Sequence, residues 1–399
     1  MILNKQQAYV LNKCVDWFFN SSEQVFQFSG GPGTGKSFLL NNIIRALGLS
    51  LNEIAPMSYI GCACIVMRTK GLSNAKTIHS TLFRPVEVIE TDANGKVVMD
   101  TYFNRPKYKL GMEPRPLDGI KLLIIDEGGS VPYSLRDEIL SRGIKVLVCG
   151  DLDQLPPVAD KPAFLYTGKV YRLTECMRQA EGSSIVYLAD RAIKGLPIQP
   201  GLYNDSLVIY EDELTDQMLS YSEMFICGKN KTRDYINNRY RHNILNIHSD
   251  IPRFGEKVIC RKNNWMLEVD GISLANGLLG TVINDPGVQS FDNKTYKMDF
   301  KPINLNVYFK DLVCDYSYIK APYEMKTMIK NNRYSLGEKF EFAYAISCHL
   351  SQGSQFRNGI YLEEFLSKDI QKNLNYTGIT RFSQGMIYVK KKRKYFSFN

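Results

Sequence analysis

No stretch of this 399-residue chain approaches 18 consecutive uncharged apolar residues, so a membrane-spanning helix is excluded. Nor does MILNKQQAYV have the charged start and long apolar core of a secretory leader. The nine cysteines contain no C-x-x-C pair, and Cys62 and Cys64 lack the Cys or His neighbours a zinc site needs. Most of the others sit in apolar runs such as VLVCG and FICGK, which reads as buried thiols in a reducing compartment. There is no internal repeat, no low-complexity linker, and no second carboxylate and lysine cluster of the kind a metal-dependent nuclease uses. These absences predict a cytosolic protein with no membrane partner and no structural metal.

What is present is enough for more than one core. At 399 residues and 44% hydrophobic content, two to four folded units are expected. Fifty Lys and Arg against 41 Asp and Glu leave a formal charge of +9, which suits polyanionic partners and also serves solubility. The charge is uneven, ending in the run Lys390, Lys391, Lys392, Arg393, Lys394.

Apolar runs alternate with helical stretches in the first half: VFQFSG, SFLLNNIIRALG, EIAPMSYI, KLLIIDEG, IKVLVCGD. Such alternation predicts parallel strands with crossover helices. Between Phe83 and Gly119 the pattern breaks, and Asn94-Gly95 between β-prone runs predicts a projecting hairpin over 86 to 103, in an insertion of about 84–118. A second α/β pattern starts near Leu173 and resumes at FEFAYAISCHLSQGSQF. Its interruption, about 252–340, holds short β-prone runs such as GEKVICR and LNVYF and predicts a small β unit.

GGPGTGKS, Gly30 to Ser37, fits G-x-x-x-x-G-K-[ST] between a strand and a helix. Gly31, Gly33, Thr34 and Gly35 let backbone N–H groups wrap phosphates, Lys36 reaches the β- and γ-phosphates of ATP, and Ser37 ligates Mg2+. KLLIIDEGG ends a buried strand on Asp126, suited to hold the metal, and Glu127, suited to polarise a water. GDLDQLPPV follows another apolar strand, so the Gln154 amide can sense the γ-phosphate or position water.

With these motifs, and with LNKQQ, IAPMSYIG, TIHS, LTECMRQ, FAYAISCHLSQGSQF and NYTGITR in order, the chain resembles the superfamily 1 helicases, in particular the RecD and phage Dda branch. The resemblance implies that Gln7 contacts adenine, that Gln154 couples the γ-phosphate to the DNA path, and that Arg178 and Arg381 reach the γ-phosphate from a second domain. It implies DNA contacts at Pro56, Ser58, Thr77, His79, Ser80, His349, Ser351 and Gln352. It also implies single-stranded and forked duplex DNA as partners, replication or recombination proteins beside them, a monomer, and 5′ to 3′ movement. Three features depart from the family: Leu350 where Lys is usual, a second glycine after Asp126-Glu127, and no helical N-terminal extension. The expected fold is α/β, two RecA-like P-loop domains at 1–170 and 171–399, each with a small β-rich insertion, the second one SH3-like. The rivals are a translocase that remodels protein–DNA complexes without efficient unwinding, and a binding module switched by ATP.

Overall fold

The buried aliphatic runs become strands because a parallel sheet covered on both faces needs side chains that are apolar on both. In the computed structural model the described residues are 2–92, 94–100, 105–106, 108–158, 160–175, 183–285, 287–288, 294–331 and 337–392.

One six-stranded parallel sheet is built from β1 (Val25–Gly30), β2 (Ile54–Ser58), the short Lys76–Thr77, β3 (Leu122–Asp126), β4 (Lys145–Gly150) and β5 (Val170–Leu173). In space they run β5, β1, β4, β3, β2, then Lys76–Thr77. Leu122 to Ile125 are fully buried, and helices α1 (Lys5–Asn20), α2 (Lys36–Ala46) and α3 (Gly61–Thr69) accompany the sheet. Val10, Leu39, Ile43, Leu122, Ile124 and Leu147 share one core cluster, so α1 and α2 are packed onto this sheet.

The second sheet also has six strands: Gly201–Tyr203 antiparallel at one edge, then β6 (Ser206–Tyr210), β7 (Met224–Cys227), β8 (Ala345–Ser347), β9 (Phe356–Leu362) and β10 (Phe382–Lys390). Their spatial order from that edge is β6, β10, β9, β7, β8, all parallel. α4 (Ser184–Lys194) and α6 (Gln371–Ile379) share a core with Ile226, Tyr361 and Tyr388, and α5 (Asn230–Arg239) follows β7. The α/β class with parallel sheets is therefore observed.

Between α5 and β8 lies a third, antiparallel sheet whose strands include Lys257–Cys260, Leu279–Val282, Thr295–Pro302 and Phe340–Phe342. A hairpin, Asn264–Val269 with Ile272–Leu274, projects from it. Its backbone meets the first sheet's layer, where Arg68 of α3 donates to the Gly271 carbonyl at 2.8 Å.

The projecting ribbon is wider than expected. Phe83–Ile89 pairs with Tyr108–Pro114, not with the run just after Asn94-Gly95; the nearer pairing is short, made by the Thr91–Val97 bridge with Asp92 N–H on the Lys96 carbonyl and Val98 N–H on the Glu90 carbonyl. Gly95 takes φ +77°. The Asp92 carboxylate instead accepts from Asn94 and Lys96 N–H, so a side-chain-braced loop replaces the two-residue turn. No helix among the described residues is long and apolar enough to cross a membrane.

A buried ion pair fastens the small sheet to the second one. The Arg241 guanidinium donates to Glu256 at 2.7 and 3.1 Å and lies 3.7 Å over the Phe342 ring, while Tyr344 donates to the same carboxylate. Arg241→Met should lower stability by about 3–5 kcal/mol, because it strands the buried Glu256 charge. The check is the shift of the denaturant midpoint, and a change under about 1 kcal/mol would show that the pair does not hold the two sheets.

Candidate functional site

The phosphate-type loop leaves β1 and enters α2. Gly33 and Gly35 have φ +77° and +81°, which a side chain would strain, and they let the loop curl around its own centre. Gly35 is the N-cap of α2 and offers no side-chain cap, so the first helical N–H groups are left for an anion. The Lys36 ammonium donates to the Gly30 and Gly31 carbonyls at 2.7 and 3.2 Å, lying over the loop it would serve. Gln7 is fully buried: its side-chain carbonyl accepts from Asn4 N–H and its amide donates to the Thr34 carbonyl at 3.0 Å. In this arrangement Gln7 pins the loop rather than facing the cleft. The Ser37 hydroxyl accepts from Lys70 at 3.0 Å, a cation with no sequence signal.

Asp126 ends β3, and its carboxylate accepts from Glu127 N–H and from the Cys149 thiol. Burial, then the Asp126 charge, push that thiol well above its ordinary range, so Cys149 is an inert donor. The Ser37 hydroxyl and Asp126 carboxylate are the hard oxygen donors that suit Mg2+, and with Lys36 and the uncapped α2 start they fit a magnesium nucleotide.

Glu127 has φ +54°, ψ +43°, an uncommon backbone for a residue with a Cβ. It is held there by Ser130, whose N–H and hydroxyl both donate to the Glu127 carbonyl. Gly128 admits no side chain, since a Cβ there would lie 2.3 Å from the Val148 side chain. Burial first, and the Asp126 charge second, raise the Glu127 carboxyl; Arg381 and Lys36 act in the opposite direction.

The loop Asp151–Leu155 is gripped from the other half of the chain. Asn373, Tyr376 and Thr377 lie on one face of α6, at the spacing of three and four residues. Asn373 donates to the Asp153 carbonyl at 3.0 Å, the Tyr376 hydroxyl donates to Asp151 at 2.9 Å, and Leu155 N–H donates to the Thr377 hydroxyl at 2.9 Å. The Gln352 amide adds a bond to the Leu155 carbonyl at 2.8 Å. Gln154 is buried within this grip, and its side-chain oxygen has no partner. Arg381, just past α6, is buried and donates to the Thr377 and Ser354 carbonyls and the Thr380 hydroxyl. Arg178 lies outside the described residues. A cleft of about 320 Å³ runs between the phosphate-type loop and α4, and Gly31, Thr34, Asp151, Arg172, Ile185 and Tyr376 help line it. Tyr376 belongs to the quoted NYTGITR, but nothing in its spacing marked it for this contact.

The residues expected at a nucleic-acid track divide. Pro56 lies within β2 and Ser58 ends it, both buried, and the Ser58 hydroxyl accepts from Ile60 N–H. Ser351 is fully buried with its hydroxyl on the Cys348 carbonyl, and Gln352 is spent on Leu155. Leu350 packs against the second core, which accounts for an apolar residue where the family has Lys. Thr77 caps the short helix Ile78–Leu82 and bonds Ser80 at 2.9 Å. His79 stands between Tyr59 and Phe83, with ring centres 6.0 and 6.3 Å away, at the root of the ribbon. Burial lowers both His79 and His349 below the usual imidazole range, which favours neutral rings. Tyr59, 41% exposed, extends this aromatic row and went unread because a lone Tyr after a strand carries no pattern.

A family model described as an AAA domain matches residues 18–160. The ATP-dependent RecD2 DNA helicase of Deinococcus radiodurans is 29% identical over 202 residues, covering 48% of this chain and 24% of that protein. The ATP-dependent DNA helicase PIF1 of Xenopus laevis is 31% identical over 209 residues, covering 47% of this chain and 29% of its own length. The chain thus spans less than a third of these two relatives. The crystal structure of Bacteroides Pif1 bound to ssDNA matches with a TM-score of 0.55 at 17% identity, covering 97% of this chain and 92% of the other, a likeness of fold. In sequence and fold the chain is similar to superfamily 1 helicases of the RecD/Pif1 branch, which widens the RecD and Dda resemblance of the motifs.

The cross-half grip makes one local prediction. Thr377→Val keeps the side-chain shape but leaves the buried Leu155 N–H without an acceptor, at a cost of about 1–3 kcal/mol. Amide exchange at Leu155 should accelerate about tenfold or more, read by hydrogen–deuterium exchange. An unchanged rate would mean that α6 does not hold the loop.

Proposed function

We propose that this chain, built like the RecD/Pif1 branch of superfamily 1, is a DNA-stimulated ATPase that moves 5′ to 3′ along single-stranded DNA and unwinds duplex ahead of it. The observation that carries the reading is the shared helix: the α6 face that grips Asp151–Leu155 leads within a few residues to Arg381, whose charge acts on Glu127 beside the phosphate-type loop. Nucleotide chemistry and the relative position of the two halves are thereby tied to one rigid element.

Bound MgATP supplies the phosphoanhydride and the bridging charge of phosphoryl transfer. Lys36 would exchange the Gly30 and Gly31 carbonyls for phosphate oxygens, and Ser37 and Asp126 would hold the metal. Glu127 accepts a proton from the attacking water. Arg381, with Arg178, stabilises the charge that develops, and Gln154, whose buried oxygen is unpartnered, reports that state to the Asp151–Leu155 loop. Gln7 keeps the loop in shape for the base beyond it.

We take residues 1–170 and 171–399 as the two RecA-like domains, with the ribbon at about 84–118 and an SH3-like unit at about 252–340 as their insertions. DNA then crosses both halves, near Thr77, His79 and Ser80 on one and His349 on the other, with Pro56, Ser58, Ser351 and Gln352 shaping those loops from beneath. The ribbon, rooted beside His79, supports unwinding over plain translocation. The solved relative bound to ssDNA supports DNA as the partner. We infer a monomer acting on single-stranded and forked DNA, among replication or recombination proteins.

Lys36→Ala should abolish phosphate release, and Glu127→Gln should slow it by about a hundredfold or more, the range of a lost general base. Because Glu127 is raised, its base form is depleted at higher pH than for an ordinary carboxyl. The single-turnover rate of the unaltered chain should therefore climb with pH along a limb displaced upward, and Glu127→Gln should lack that limb. A limb that persists in the variant assigns the base elsewhere.

Polarity is read by strand displacement on duplexes with one single-stranded tail. A 5′ tail should support unwinding and a 3′ tail alone should not. Displacement from the 3′ tail only would overturn the branch direction, and ATP turnover on either tail without displacement would favour a translocase.

A further inference from the structure

A second crevice lies outside the nucleotide cleft, at the carboxyl ends of the second sheet's strands, where open α/β sheets hold ligands. It encloses about 1220 Å³ and is lined by Lys229, Lys368, Lys372, Lys390, Lys391 and Lys392. Lys391 pairs with Glu364 at 3.1 Å, Lys392 pairs with Asp212, and Lys390 donates to the Ile198 carbonyl. Lys229, Lys368 and Lys372 are exposed and form no ion pair among the described residues. Just before α5, the buried Glu364 carboxylate accepts from Gly228 N–H, Lys229 N–H and the Thr232 hydroxyl, so this acid is matched from within. An anion entering the crevice meets the unpaired ammonium groups of Lys229, Lys368 and Lys372. Two other features of the wall favour a ligand: Phe365 is 61% exposed, and the fully buried Tyr388 hydroxyl has no hydrogen-bond partner of ordinary geometry, only Glu363 as its near carboxylate.

The strand order gives the crevice a direction. Reading across the edge from β8 to β7, β9, β10 and β6, the strand ends carry His349, Lys229, Phe365, Lys390 to Lys392, and Tyr210. Four inter-strand steps of about 4.8 Å make about 19 Å of continuous edge. Lysines act as point charges on phosphates, and an exposed aromatic ring gives a base a face to stack on, which is the make-up of a sequence-neutral single-strand groove. An acidic peptide would satisfy the charge but not the ring.

We propose that this lysine crevice is a second nucleic-acid site, holding the phosphates and one stacked base of a single strand as it passes from His349 across the second sheet. It rests on the reading of DNA as the partner. Lys390, Lys391 and Lys392 belong to the basic run of the sequence, whereas Lys229, Lys368 and Lys372 belong to none of the features that pointed to DNA.

The test is equilibrium binding of fluorescent strands of about 8 and about 30 nucleotides to the full chain and to the double variant Lys368→Glu, Lys372→Glu, across a salt series. For the long strand the variant should bind about tenfold or more weakly, and its slope of log affinity on log salt should fall by about 1.4, two phosphates at about 0.7 each. The short strand should lose far less. Phe365→Ala, which leaves the charge intact, should weaken the long strand about fivefold or more with the slope unchanged, the worth of one stacked base. Equal slopes and affinities for variant and unaltered chain overturn the crevice alone. Failure of the unaltered chain to bind any strand overturns the motor reading and the crevice with it. Poly-glutamate binding as tightly as the long strand, and lost equally in the variant, reassigns the crevice to an acidic protein and overturns the proposal.

Discussion

The arrangement depends on one contact between the halves: the α6 face of Asn373, Tyr376 and Thr377 against the loop Asp151–Leu155. A hydrogen bond between neutral groups contributes only about 1 kcal/mol net, yet leaving its partners buried and unmatched costs more. Two of these bonds are buried and the third partly so, and their adjacency on one helix face couples them. That is the property a two-state joint needs, since packed interfaces switch between arrangements rather than deform smoothly. The Tyr376 hydroxyl also limits the phosphate-type loop, where a Cβ on Gly31 would approach it to 3.0 Å. One helix thus senses both the loop that would cradle phosphates and the loop that follows β4.

Around that joint, backbone conformations are used where side chains would not fit. Glu127 sits at φ +54° because Ser130 and the close packing of Gly128 on Val148 leave the turn no other course. This turns the carboxylate inward, next to Asp126 and within the fields of Lys36 and Arg381. Its raised protonation follows from this placement.

The small antiparallel sheet is held from two sides. Arg241 and Glu256 lock it to the second sheet through a pair that is 3% and 1% exposed at its side chains, while Arg68 touches its hairpin from the first sheet's layer. Glu341 adds contacts to Arg233, Arg261 and Lys326, a cluster in which cations outnumber the acid. Charges of this kind are costly to bury and worthwhile only in one geometry, which favours a defined orientation of the insertion.

Much was legible in the sequence because it is local. GGPGTGKS, KLLIIDEGG and GDLDQLPPV specify strand, turn and helix within a few residues, so the phosphate-type loop, the acidic strand end and the alternation of two parallel sheets could be read from pattern alone. What pattern could not decide is which groups meet across long sequence separations. The motifs implied DNA contacts for Ser58 and Ser351, but both are buried with their hydroxyls bonded to neighbouring backbone. Asn94-Gly95 announced a hairpin, but the partner of Phe83–Ile89 was chosen by a later strand, Tyr108–Pro114, whose pairing is longer. Tyr376 reaching Asp151 across 225 residues, and Lys229, Lys368 and Lys372 meeting the basic run at Lys390–Lys392, have no sequence signature. Hydrophobic periodicity determines which residues form elements and which face they bury; only the closing of those elements onto one another decides which polar groups remain free to act.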